Sequence, residues 1–462
     1  MFKRLLQLLF GKSPARPDGP AAIAPAMPHA PLEGLTVEGE KAVIRREPVL
    51  DRQQQTIGYE LSLRYGMARQ SRGDSSATRH LRDLMLLSHL QVLDLGKLLG
   101  KRLALFHLDA RQLNEPALAQ LPLRQCVLLL ELSDGIKPDA LASLLAAYRK
   151  LGLRFGLSIR QHAHPLAAVV QPYIDYLLLE PDDPLTWTSD VADWIHRQSQ
   201  LQLLARRIDS EEAFLSAHRS LLYGGKVELF QGNFISSREH WPEHPVEPGR
   251  LQIIELMNQL HQDADNDTLA QALKQDSVLL YRILRLVNSP GLRTGHSIAS
   301  AEEALMVLGR EQLFRWLTVL LFQVDGESAR DLSLLDQALI RARFMETIGG
   351  AARSPAEANQ RFLVGLFSLL DVLLQCPLQR ALGLLQLPPT VGQALLENNG
   401  PHAAYLQLAL LCERDELDEL AATAEGGSAA RLDDLLRQTG LQPLAVDTCQ
   451  LAALHWAESL RP

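Results

Sequence analysis

The sequence predicts two unlike halves: an irregular eight-stranded βα barrel of the α/β class, followed by an all-α domain. Three observations lead there. Between about 40 and 235, short β-rich runs alternate with helical ones, the order of a sheet whose strands are joined through helices. Several of these runs are near-continuous apolar stretches, as strands covered on both faces are. Past about 245 the β-branched runs become scarce, and Leu- and Ala-rich helical spacing continues to the C-terminus.

The chain opens with a basic segment and linker over 1–37. Met1–Lys12 (MFKRLLQLLFGK) is too short to span a bilayer and lacks a following small-residue cleavage site. It reads as a frayed helical tail, or as an amphipathic turn that touches a membrane or a partner. Ser13 to about Leu35 is Pro/Ala-rich and reads as a linker. The barrel, placed at 38–243, has expected strands at Ala42–Val49, Ile57–Arg64, Leu103–Leu108, Cys126–Glu131, Phe155–Ile159, Tyr176–Leu179, Leu201–Ala205 and Val227–Phe230. Helices such as Arg79–Leu99 and Pro138–Leu151 fall between most of them. Only Leu50–Thr56 separates the first two strands, too little chain for a parallel crossover, so these two must be antiparallel.

Pro242, Pro245, Pro248 and Gly249 mark a joint. The helical domain is placed at 246–462. Its expected helices are Leu251–His261, Leu269–Leu273, Ser277–Val287, Glu303–Leu308, Gln312–Gln323, Ala356–Gln375, Tyr405–Leu411 and Leu451–Leu460. No fixed-period repeat is present, so a solenoid is not expected. Asn288-Ser289-Pro290 is a helix-stop signal.

Composition narrows the function. There are 46 Lys and Arg against 54 Asp and Glu, a net charge of −8, so no global field draws the chain to nucleic acid. Arg45-Arg46 and Arg206-Arg207 are too short to make a nucleic-acid stripe. The four cysteines (Cys126, Cys376, Cys412, Cys449) form no C-x-x-C pair, which suits a reducing cytoplasm and argues against a zinc ribbon or disulfide framework. No segment reaches the ~18 uninterrupted apolar residues of a membrane helix, and no P-loop, dinucleotide fingerprint or nucleophile elbow is found.

The run from Arg46 to Arg64, REPVLDRQQQTIGYELSLR, resembles the opening of EAL domains, the cyclic-di-GMP phosphodiesterase family. Their βα barrel has an antiparallel first strand. In the second half, LMNQL from Leu256, DSVL from Asp276, LRLVNSP from Leu284 and ALMVLG from Ala304 resemble the HDOD domain, a helical relative of HD phosphohydrolases. The resemblance implies a tandem EAL–HDOD bacterial signalling protein and covers nearly everything after residue 40.

Hydrolysis on an EAL barrel needs acidic and amide ligands at the strand C-termini to hold two divalent ions. By that resemblance Glu60, Glu131 and Gln231 keep their ligand identities, although the signature reads Glu-Leu-Ser. His107 replaces an asparagine, Ser158 and Ile159 replace the paired aspartates, and Leu178 replaces a lysine. Arg206-Arg-Ile-Asp209 replaces an acidic run. In the helical half, Ser368 and Leu369 stand at the His-Asp positions, with Asp371 alone nearby. The expectation is therefore a chain without catalytic residues, resident metal or cofactor, acting as a scaffold or regulator for a signalling protein the sequence does not name. Two other readings stay open. One is a cyclic-di-GMP receptor using Glu60, Arg64 and Gln231 without hydrolysis. The other is residual metal-dependent phosphodiesterase chemistry, drawing on a metal site of His107, His162, His164, Glu60 and Glu131. His240 and His244 read as residues of the joint.

Overall fold

The computed structural model describes residues 42–65, 76–92, 95–180, 188–197, 201–219, 227–238, 246–288, 298–322, 328–349, 354–413 and 427–459. The expected tail and linker, His240, His244 and Ser289-Pro290 lie outside the described residues. Strands β1 (Ala42–Asp51), β2 (Thr56–Tyr65), β3 (Leu103–Asp109), β4 (Cys126–Glu131), β5 (Arg154–Ser158), β6 (Tyr176–Leu179), β7 (Gln202–Ala205) and β8 (Val227–Gln231) close into a barrel in sequence order. β1 runs antiparallel to both its neighbours, β2 and β8. The remaining neighbours pair parallel. The hairpin forced by the short β1–β2 connection is thus present, and Asp51 closes it by accepting from the Gln53 and Gln55 amides.

Among the described residues, four helices of eight or more residues return the chain across the barrel: α1 (Ser76–Val92), α2 (Pro138–Leu151), α3 (Ser189–Arg197) and α4 (Glu211–His218). α2 shows why its bounds were legible. Pro138 opens the helix, and Gly152 closes it at φ +98°, a conformation glycine adopts without a Cβ penalty. The expected helix Arg79–Leu99 is helical over α1 and again at Leu95–Leu98, with residues 93–94 outside the described residues.

The second half is helical: α5 (Pro248–His261), α6 (Asn266–Gln275), α7 (Ser277–Val287), α8 (Ala301–Leu308), α9 (Arg310–Leu321), α10 (Ala329–Thr347), α11 (Pro355–Phe367), α12 (Ala403–Leu411), α13 (Gly427–Thr439) and α14 (Pro443–Ser459), with shorter turns between. The expected continuous helix Ala356–Gln375 is broken at Ser368-Leu369 and resumes at Leu370–Leu374. Ser368 turns its hydroxyl back onto the Gly365 carbonyl at 2.6 Å, a bond that loosens a helix. α10 and α13 were not among the expected helices. α10 buries Ser333, Asp336, Gln337 and Arg341 along with its apolar residues, so no clean apolar stripe marks it.

α10 and α14 also explain how the halves join. Neither β1 nor β2 is followed by a crossover helix within the hairpin, so its outer surface needs another cover. α10 lies against the β2 side: Ser333 donates to the Gln54 carbonyl, and Tyr59 and Arg102 both donate to Asp336 Oδ2, at 3.2 and 2.7 Å. α14 lies against β1, where Asp447 accepts from the Ile44 amide and Gln450 donates to the Ile44 carbonyl. Apolar side chains from both halves form one continuous core.

Candidate functional site: the barrel mouth

The inside of the barrel is built in layers, because residues two apart on a strand share a face. One layer is an apolar plug of Val49, Leu105, Val127, Leu129, Tyr176, Leu178, Leu204 and Leu229. Two positions further along the strands the same face turns polar: Leu105 gives way to His107, Leu129 to Glu131, Leu204 to Arg206 and Leu229 to Gln231. Glu60 joins this layer from β2, where Gly58 precedes it on the same face. The polar ring therefore lies at the C-terminal end of the parallel strands, the end where barrels of this kind carry their sites.

The ring is closely bonded. Arg206 Nη2 donates to Glu60 Oε1 at 3.1 Å, and its Nε donates to Gln231 Oε1 at 3.0 Å. Gln231 Nε2 donates to Glu60 Oε2 at 2.9 Å. His107 stands between two carboxylates, Nε2 at 3.4 Å from Glu60 and Nδ1 at 3.5 Å from Glu131. Glu60 is 3% exposed. Burial alone would raise its pKa, but the Arg206 guanidinium and then His107 outweigh that and hold it well below the usual carboxylate range. For His107, burial opposes the charge, yet Glu60 and the bonds to both glutamates push it up to about 9. At neutral pH the ring thus pairs two anions, Glu60 and Glu131, with two cations, Arg206 and the His107 imidazolium.

Gly232 sets this geometry from below. Its φ is +145°, and a Cβ there would collide with the Ile208 backbone. Bare of one, it lets the chain turn so that the Ile208 amide donates to the Gln231 carbonyl at 3.0 Å, which anchors Gln231 beside Arg206.

The other candidate residues go elsewhere. Arg64 lies four residues beyond Glu60, about 13 Å along the strand. It is 1% exposed, and its charge acts on the Cys412 thiol in the helical half. His162 and His164 sit on the turn after β5, where His164 Nε2 is 3.6 Å from Asp134. Among the described residues, no three of His, Cys, Asp and Glu are grouped to hold a metal ion. Ser158 accepts from the Arg160 amide, while Ile159 is fully buried in the core outside the barrel. Sequence reasoning missed Glu180, which pairs with Arg160 at 2.5 Å. Its signal was available: it lies two positions after Leu178, one step up the same face.

In the helical half, Ser368, expected at a His-Asp position, and nearby Asp371 both make bonds to arginines. Ser368 accepts from Arg341 Nη1 at 2.6 Å, and Asp371 pairs with Arg238 of the barrel half at 2.6 Å. Arg238 also donates to the Ser368 carbonyl. Arg46 of β1 and Arg341 share Glu413.

Residues 248–379 match the HDOD domain model. The chain contains an HDOD domain. With the eight-stranded barrel and its antiparallel first strand ahead of it, the architecture is a tandem of an EAL-type barrel and an HDOD domain. Over 440 residues the chain is 26% identical to the uncharacterized protein YuxH of Bacillus subtilis (strain 168), covering 91% of this chain and 99% of the relative. It is 25% identical over 371 residues to the cyclic di-GMP phosphodiesterase CdgJ of Vibrio cholerae serotype O1, covering 79% and 83%. Among solved structures it is similar to Bacillus subtilis YkuI, a protein with an EAL domain, at 13% identity and a TM-score of 0.33, covering 51% of this chain and 71% of that one. An EAL domain protein of Listeria monocytogenes EGD-e gives 11% and 0.31, with 42% and 87% covered.

The EAL-type barrel implies divalent ions at its mouth, and the residues present do not fit them. Both oxygens of Glu60 are taken by Arg206 and Gln231, the Gln231 carbonyl oxygen is taken by Arg206, and the paired carboxylates expected after β5 are Ser158 and Ile159.

Proposed function

We propose that this EAL–HDOD tandem is a non-catalytic regulator of cytoplasmic signal transduction, working through surfaces it presents to a protein partner. One observation carries the reading: Arg206 occupies Glu60 and Gln231, two of the three groups that the barrel mouth keeps from the phosphodiesterase pattern. A carboxylate already neutralised by a guanidinium and an imidazolium has little charge left to offset a dication. The helical half supports the same reading: the Ser368 carbonyl, at a position where the resemblance implies a ligand, and nearby Asp371 both bond Arg238 of the barrel half. The division into 38–243 and 246–462, with 1–37 as an appended segment, belongs to this proposal.

The relative named as a cyclic di-GMP phosphodiesterase supports placing the chain in cyclic-di-GMP signalling. It also sets the rival readings, a receptor that binds the dinucleotide intact or a residual phosphodiesterase. The receptor reading draws support from the mouth's partial exposure: the Glu131 side chain is 45% exposed and that of His107 30%. Calorimetric titration of the full chain with cyclic-di-GMP, in magnesium and then in excess chelator, separates the three when followed by chromatography of the nucleotide. No heat and intact nucleotide are expected. Binding without cleavage would make the chain a receptor, and cleavage in magnesium would end the non-catalytic reading.

A further inference from the structure

We propose that Arg206 is the resident counter-ion of the barrel mouth, a protein-borne cation that stands in place of divalent metal and keeps Glu60 and Gln231 from binding one. The inference rests on the non-catalytic reading and deepens it by assigning the exclusion to one residue.

Glu60 is 3% exposed at the mouth. A carboxylate buried this deeply needs a positive partner with fixed geometry. Arg206 supplies it with two donors on one planar group, Nη2 to Glu60 and Nε to Gln231. Gln231 completes a three-membered ring by donating to the second Glu60 oxygen. Every polar atom that could turn toward an incoming cation from these two side chains is held within the ring. The opposite flank is closed in the same way, because His107 at 3.4 Å from Glu60 turns its other nitrogen to Glu131.

The origin of the guanidinium is local. Arg206 directly follows β7 and continues the inward alternation set by Leu204. Its amide donates to the Leu179 carbonyl of β6 at 2.8 Å. The strand ladder thus delivers the charge to one place, and the site needs no diffusible ion to balance Glu60.

The test uses the full chain, manganese(II) as the probe and thermal unfolding as the readout. The wild-type midpoint should be unmoved by millimolar manganese or by chelator. Arg206→Gln strands the Glu60 charge beside His107 alone and should lower the midpoint by about 5 °C. Manganese should recover most of that loss by binding Glu60 and Gln231. Should R206Q be insoluble alone, the same question is read from whether manganese during refolding recovers soluble protein. Arg206→Lys keeps a cation and should remain indifferent to manganese. The double variant Glu60→Gln/Arg206→Gln removes the stranded charge and should regain stability without responding to the ion.

A manganese-dependent rise in the wild type would overturn the inference, since metal and guanidinium would then coexist. So would an R206Q chain that manganese neither stabilises nor rescues. These failures are separate from failure of the functional proposal. Wild-type stabilisation by manganese without nucleotide cleavage defeats only the counter-ion assignment, whereas cleavage of cyclic-di-GMP defeats the non-catalytic reading.

Discussion

At the scale of single residues, His107 makes the barrel mouth sensitive to pH in a defined direction. Its pKa lies near 6.5 when exposed and is raised to about 9 in the fold by Glu60 and Glu131, against the cost of burial. A base whose folded pKa is raised stabilises fully below its unfolded value and loses that contribution as pH climbs through the folded one. Unfolding free energy should therefore fall between about pH 7 and 9, by up to about 1 kcal/mol per pH unit. His107→Gln should flatten this slope in urea titrations across that range, and an unchanged slope would remove His107 as its source. Asp83 does not confuse the reading. Burial pushes its carboxyl up to about 7, so its charging costs stability between its ordinary 3.8 and about 7, and its contribution is level above that. Glu60 acts at the acid end, where its depressed pKa means stability is lost as pH falls below the ordinary carboxylate value.

Among elements, the β1–β2 hairpin is the decisive one. A parallel βα unit brings its own covering helix, but a hairpin arrives bare on its outer face. α10 and α14 provide the cover, and polar groups are buried in doing so. Arg102 and Asp336 are 5% and 4% exposed as side chains and meet at 2.7 Å, with Tyr59 bonded to both. Removing one member leaves a buried charge without its main partner. Asp336→Ala should cost on the order of 3 kcal/mol, even though Glu458 also lies 3.3 Å from Arg102. Equilibrium denaturation is the measurement, and a loss under about 1 kcal/mol would mean that Glu458 alone satisfies Arg102. The same helices account for what the pattern of apolar residues concealed: α10 carries Ser333 and Asp336 on buried faces because its neighbour is a hairpin with polar backbone and side-chain groups to satisfy, and Arg341 because it bonds Ser368 and Glu413.

For the whole molecule, the two halves behave as one folding unit. Their cores are continuous, and the bonds between them run the length of the hairpin, from Ser333 at the Gln54 turn to Cys412 and Asp447 on β1. Interfaces that resemble a domain core do not come apart independently. Thermal unfolding followed by near- and far-ultraviolet circular dichroism should show one transition at a shared midpoint. Two separated transitions would mean the barrel survives without α10 and α14. In this arrangement Arg238, past the last barrel strand, joins the helical half by its bonds to Asp371 and to the Ser368 carbonyl.

The amino-acid sequence alone determined the strand order, the antiparallel start and the polar ring. Local chemistry sets each of these: the short Leu50–Thr56 connection, apolar runs bounded by Gly and Pro, and the two-residue alternation that carries Leu204 to Arg206. It also puts Ser158, Ile159, Ser368 and Leu369 at the positions where the family resemblance implies ligands, because identity at a position is a property of the chain. Where each charge finds its partner depends on residues far apart in sequence. Arg64 reads as part of the mouth through the family resemblance, as the arginine that follows the signature, yet the extension of β2 carries it to Cys412. His162 and His164 share a loop beyond β5, and the turn there directs His164 toward Asp134. The pairing of Arg206 with Glu60, 146 positions apart, was decided only by closure of the barrel, which brings β7 and β8 around to the first hairpin.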